Sequence, residues 1–185
     1  GAIRFAKKTG AKSVYLAGHS TGCQKSVYWA YKKGKGVKGL ILLAPMSDYS
    51  SAEKMEGKAR VAKATKAADV LNRTKKGNEL LPASVWPILD TAQRFTSLYT
   101  KNGLEEIFSY VQPEKYPKML RSVKIPTLVL LAEKDQFGVI PAKKIGDWFA
   151  EHIKVGDEIV IVPRVKHSFK GAEKFVAYTI RKWIQ

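Results

Sequence analysis

Ser20 stands between Gly18 and Gly22 in the run Gly-His-Ser-Thr-Gly, a setting that suits an acyl-transfer nucleophile. The pattern describes a sharp strand-to-helix turn: the serine takes a strained backbone conformation at the tip, and glycines leave room for strand and helix to approach. A serine hydroxyl is a weak nucleophile at neutral pH, so it needs a base to take its proton and an acid to orient that base. His167, in Val-Lys-His-Ser-Phe, is the candidate base. Asp135 is the candidate acid, and Asp48 in Pro-Met-Ser-Asp is its rival. His19, inside the turn, reads as a packing or supporting residue, His152 as an exposed helix residue, and Cys23 as a packed core thiol.

These side chains are useful only if the backbone carries them to one place. Ser13 to Ala17 is apolar enough for a buried strand, and Thr21 to Lys33 can be helical with Cys23, Val27, Ala30 and Tyr31 on one face. Leu40 to Ala44, Thr127 to Ala132 and Ile159 to Val162 are apolar runs without polar alternation, and helical stretches separate them. That arrangement predicts an α/β fold with a parallel sheet of about four strands and flanking helices. Gly1 to Gly10 reads as a helix stopped by Gly10, and Pro141 opens a helix with Ile145, Trp148, Phe149 and Ile153 on its apolar face. A terminal helix turns Phe175, Val176, Thr179, Ile180 and Trp183 to the core. Asp48, Asp135 and His167 each follow a strand, as Ser20 does, and in a parallel sheet functional groups gather at the carboxyl ends of the strands.

Residues 48–123 lack the strand signal. Ser50 and Glu53 form a capping box before an Ala/Lys-rich run, and Pro87 to Tyr99 and Leu104 to Val111 read as two more helices. The chain therefore divides into a core part at 1–47 carrying the turn, a helical insert at 48–123, and a second core part at 124–185 carrying the acid and the histidine.

The 185 residues, 45% of them hydrophobic, suffice for one domain with a proper core. One cysteine excludes an internal disulfide framework, and no apolar run has the length of a membrane span. No signal peptide is visible, and the expected location is cytoplasmic. The net charge of +17, densest between Lys54 and Lys76, reads as a solvated helix face or as an attraction for anionic substrates. Nucleic acid is not expected as a partner, since no zinc ligands, aromatic-rich binding motif or helix-turn-helix pattern accompany the charge.

Gly-His-Ser-Thr-Gly at 18 to 22, Ile-Pro-Thr-Leu-Val-Leu-Leu-Ala-Glu-Lys-Asp at 125 to 135 and Val-Lys-His-Ser-Phe at 165 to 169 together resemble the nucleophile, acid and histidine segments of the α/β-hydrolase superfamily. The order serine, acid, histidine is that family's order. The longer Gly-His-Ser-Thr-Gly-Cys-Gln is also similar to a fungal and plant group that includes siderophore esterases. The resemblance implies that Ser20, Asp135 and His167 form a catalytic triad, that 48–123 is a cap, and that neither a metal nor an organic cofactor is needed. It implies a serine hydrolase acting on a small-molecule ester or thioester. A peptidase or carbon–carbon bond hydrolase would use the same triad, and a non-catalytic basic binding module is the alternative from another class.

The chain departs from the family at its start. An intact fold has about four strands before the turn, one of whose loops donates an oxyanion N–H, and the other donor is the residue after the nucleophile; the resemblance implies that Thr21 N–H is that second donor, the one that can be placed here. The chain resembles the carboxyl-terminal part of the fold, and the strand before Ser20 is expected to have a partner on one side only. Such an edge recruits another strand, from an upstream segment or from a second copy.

Overall fold

In the computed structural model, which describes residues 1–32, 34–154 and 156–185, the elements run in chain order as α1 (Ala2–Lys8), β1 (Tyr15–His19), α2 (Thr21–Lys32), β2 (Gly39–Leu43), α3 (Asp48–Glu56), α4 (Lys58–Arg73), α5 (Ala92–Tyr99), α6 (Lys118–Arg121), β3 (Thr127–Ala132), α7 (Ala142–His152), β4 (Glu158–Val162) and α8 (Glu173–Trp183). Lys33, the last helical residue expected after the turn, lies outside the described residues. Contacts divide the chain into two compact units, one formed by Gly1–Met46 with Phe108–Gln185 and the other by Ser47–Ile107.

The first unit is built on a sheet in the order β1-β2-β3-β4, every neighbouring pair parallel. β3 is buried at all six positions and β2 at four of five, because helices cover both faces and each strand alternates its side chains between them. Ile41, Leu128 and Leu130 pack on one face with Val162, Val165 and Phe169, against Val176, Ile180 and Trp183 of α8. On the same face a Cβ at Gly39 would lie 2.5 Å from the Trp183 ring. The other face meets α2, which buries Cys23 and Val27, and α7, whose Gly146 brings its backbone within reach of Leu131, Ile159 and Ile161. Each such buried aliphatic side chain contributes about 1.5–3 kcal/mol.

The strand before the turn starts at Tyr15 and continues through Gly18 and His19, two residues later than the apolar run suggests, because Gly18 and His19 pair with Leu42 and Leu43. β1 is an edge of the described sheet, with Ala17 and His19 exposed. Helix α1 stops as expected: Gly10 has φ +92°, its N–H bonds Lys7 O at 3.2 Å and the N–H of Ala11 bonds Ala6 O at 3.0 Å, a glycine-terminated Schellman end. In α8, Phe175 is 45% exposed rather than turned to the core, while Val176, Thr179, Ile180 and Trp183 face inward.

The second unit is helical. Val61, Ala64 and Ala68 of α4 pack with Trp86, Ala92 and Phe95, and the Trp86 and Phe95 rings meet edge-to-face at 4.9 Å. The helix expected to start from a Ser50–Glu53 box starts earlier: Ser47 is the cap, its Oγ accepting the Ser50 N–H at 3.1 Å, and Glu53 instead accepts from the Tyr49 hydroxyl at 2.9 Å. Burial and that bond push Tyr49 up to about 12. The helix expected over 87–99 begins only at Ala92, where Thr91 accepts the Arg94 N–H. No helix spans 104–111. Its acids turn inward, Glu105 onto Arg94 and the Ser97 hydroxyl, and Glu106, 2% exposed, onto the Ser47 hydroxyl and the Tyr49 N–H. Residues 108–123, read from the sequence as insert, belong by contacts to the first unit, where Phe108 packs on Phe149 and α6 meets α2.

Candidate active site

Ser20 sits at φ +57°, a left-handed conformation that costs a non-glycine residue on the order of 1–3 kcal/mol and persists only where the surroundings enforce it. Two backbone bonds do so here: the Ser20 N–H donates to Leu43 O at 3.0 Å, and Ser20 O accepts the Cys23 N–H at 2.9 Å. Ala44 (φ +47°) and Arg164 (φ +60°) are similarly strained just past β2 and β4. Strain thus collects at the carboxyl end of the sheet.

Glycine is required at only one of the two flanking positions. A Cβ at Gly18 would lie 2.4 Å from Gly22 O and 2.7 Å from Cys23 N, whereas a Cβ at Gly22 meets nothing within 4 Å. The expectation that both glycines make room for the helix is corrected to Gly18 alone. Gly18→Ala is therefore expected to lose about 1–3 kcal/mol of stability, because the obstructing atoms are backbone and cannot swing aside. Gly22→Ala is expected to be neutral or to gain up to about 1 kcal/mol from helix propensity. Chemical denaturation of the two variants checks both values, and equal losses would refute this reading of the turn.

Asp135 and His167 come together directly. His167 Nδ1 lies 2.7 Å from Asp135 Oδ2, and both side chains are largely shielded, at 8% and 14% exposure. A carboxylate only accepts, so Nδ1 carries the proton and donates. The other carboxylate oxygen, Oδ1, accepts the Phe137 N–H at 2.9 Å. The imidazole is flanked by Phe137, edge-on at 4.8 Å, and by His19, tilted at 4.9 Å. His167 Nε2 is buried and has no hydrogen-bond partner, so the tautomer set by Asp135 leaves a basic lone pair unused.

The Ser20 hydroxyl does not occupy that lone pair. Its Oγ lies 3.6 Å from Met46 Sδ, a weak acceptor at the end of the segment after β2. Met46 O in turn accepts from buried Gln24 at 3.0 Å, which ties this segment to α2. Thr21 is the first residue of α2, so its N–H is one of the four without an intrahelical acceptor. Asp48, the rival acid, is buried in the first turn of α3 and belongs to the second unit.

The remaining candidates have other surroundings. Cys23 is fully buried, its thiol 3.1 Å from Gly18 O and 3.2 Å from Leu43 O, a packed position that ties α2 to the strands. His152 is half-buried rather than exposed, bonded to Trp148 O at 2.7 Å and stacked on the Trp148 ring. Sequence reasoning missed Met46 and Gln136, whose Oε1 accepts the His167 N–H at 3.2 Å. No sequence spacing marks such long-range contacts. Among the described residues no cluster of His, Cys, Asp or Glu has metal-binding geometry, and no helix is long and apolar enough to cross a membrane.

A family model described as "Protein of unknown function (DUF1749)" matches residues 2–177. No curated protein matches the chain. Among solved structures, the chain is similar to the monoacylglycerol lipase of Paleococcus ferrophilus (TM-score 0.61, 19% identity, 98% of this chain and 73% of that one). It is similar also to Est1E from Butyrivibrio proteoclasticus (0.56, 16%, 99% and 65%) and to the esterase domain of a Rhodothermus marinus protein (0.54, 16%, 98% and 64%). The chain thus spans under two thirds of the length of the last two. These likenesses identify the fold of the first unit as that of the α/β-hydrolases.

Proposed function

The chain belongs to the DUF1749 family, and for this member we propose a serine hydrolase that cleaves an ester or thioester through an acyl-enzyme on Ser20. The observation that carries the proposal is the Asp135–His167 pair, which leaves a buried, unpartnered Nε2 at the same sheet end as a serine held in a strained turn. A surface histidine would have water on Nε2, and a merely structural one would have a protein partner there. The likeness to a monoacylglycerol lipase and to an esterase domain supports the choice of a carboxylic ester.

The reaction begins with rotation of Ser20 Oγ from Met46 Sδ toward His167 Nε2. Oγ attacks the carbonyl carbon while its proton passes to Nε2, and Asp135 stabilises the imidazolium that forms. The N–H of Thr21 donates to the developing oxyanion. His167 then gives its proton to the leaving alcohol or thiol, the C–O or C–S bond breaks, and the acyl group stays on Ser20. Water, deprotonated by His167, attacks the acyl-enzyme, and Ser20 recovers its proton as the acid leaves. The helical unit is the cap that the family resemblance implies, and the outer edge of β1, which has no strand partner among the described residues, accepts a further strand from an upstream segment or a second copy.

The net charge of +17 extends the proposal to anionic substrates. Screening falls to a length of about 8 Å at physiological ionic strength, so kcat/KM for a negatively charged ester is expected to decline as salt rises while that of a neutral isostere stays level. Paired assays of the two esters from low to physiological salt check this. Equal salt dependence would reduce the charge to a solubility feature.

A further inference from the structure

Resting on that reading of the site, we propose that His19 and Gln136 are positioning residues that clamp the main chain of His167 from its two sides. The His167 N–H donates to Gln136 Oε1 at 3.2 Å, and the His167 carbonyl lies 3.0 Å from His19 Nε2. A carbonyl oxygen only accepts, so His19 is held with its proton on Nε2. Both backbone polar groups of the base are thus satisfied by side chains, in a segment that belongs to neither β4 nor α8 and has no ladder or helix to fix it. The two side chains come from the residues adjoining the nucleophile and the acid: His19 precedes Ser20, and Gln136 follows Asp135.

That placement links the three loops in a ring. Ser20 is joined through its neighbour His19 to the His167 carbonyl, and the His167 imidazole is joined to Asp135. Asp135 is joined through its neighbour Gln136 back to the His167 N–H. The segment needs such ties, because Arg164 and Phe169 on either side of it both have positive φ. Free to shift, the imidazole would keep Asp135 but lose its aim at Ser20, and a misplacement of about 1 Å costs on the order of a hundredfold in rate.

The His19 ring also lies 4.9 Å from the His167 ring and 6.4 Å from Phe169, so a packing role has to be separated from a donor role. Two substitutions do this in opposite directions. His19→Phe keeps the ring and removes the donor, whereas His19→Gln removes the ring and keeps an N–H that can reach the carbonyl.

The experiment measures kcat and KM for a p-nitrophenyl ester with the full chain, using Ser20→Ala as the blank. The clamp predicts that His19→Phe lowers kcat about tenfold, that Gln136→Leu costs a few-fold, and that the double variant falls by the product of the two, about thirty- to fiftyfold, with KM little changed. His19→Gln is expected to recover most of the loss. Retained kcat in His19→Phe together with a loss in His19→Gln would overturn the clamp in favour of ring packing. Wild-type kcat in the double variant would overturn it outright while leaving the serine hydrolase reading intact. Hydrolysis by wild type no faster than by Ser20→Ala would overturn that reading and the clamp with it.

Discussion

Ser20→Ala is expected to lower kcat for ester hydrolysis roughly a millionfold, the loss seen when the triad serine of a serine protease is removed. The substitution deletes the hydroxyl that lies 3.6 Å from Met46 Sδ and with it the attacking oxygen of the proposed reaction. It should leave the fold in place, because the two backbone bonds that hold the turn, from the Ser20 N–H to Leu43 O and from the Cys23 N–H to Ser20 O, do not involve the side chain. Far-ultraviolet circular dichroism and thermal unfolding of the variant check the second half. Hydrolysis at the wild-type rate by a folded Ser20→Ala protein would place the chemistry elsewhere.

Asp135→Asn is expected to cost about ten thousandfold in kcat, and the geometry gives the reason. Oδ1 of Asp135 accepts the Phe137 N–H at 2.9 Å, and in asparagine only the amide oxygen can take that place. The amide nitrogen must then stand where Oδ2 stood, 2.7 Å from His167 Nδ1, and it donates. Nδ1 becomes the acceptor, the imidazole proton moves to Nε2, and the base loses its lone pair. KM should change little, since Asp135 acts on His167 and not on substrate. Wild-type turnover in Asp135→Asn together with collapse in Asp48→Asn would transfer the role of acid to Asp48.

The parts of the fold that were legible in the sequence are those where burial leaves one choice of residue. β2 and β3 are covered on both faces and read as unbroken apolar runs, and Gly18 admits no side chain at all. Helix boundaries in the second unit were not legible, because tertiary bonds overrode local pattern. Ser47 caps α3 from three residues ahead of the expected box, and Glu105 and Glu106, acceptable on a solvated helix face, are drawn inward by Arg94, Ser97 and Ser47. The site divides in the same way. Ser20, Asp135 and His167 stand out as candidates in the sequence because each follows an apolar strand. Gln136 does not, since its partner is the His167 N–H, 31 residues further along, and Met46 does not, since its proximity to Ser20 follows from the β1–β2 register.

The most direct measurement is reaction of the full chain with a serine-directed fluorophosphonate, followed by tryptic digestion and mass spectrometry of the adduct. Cleavage after Lys12 and Lys25 releases Ser13–Lys25, whose serines are Ser13 and Ser20. One adduct is expected, on Ser20 of this peptide, lost in Ser20→Ala and strongly slowed in Asp135→Asn. A chain that takes no label, or takes it on a residue other than Ser20, would contradict the serine hydrolase reading.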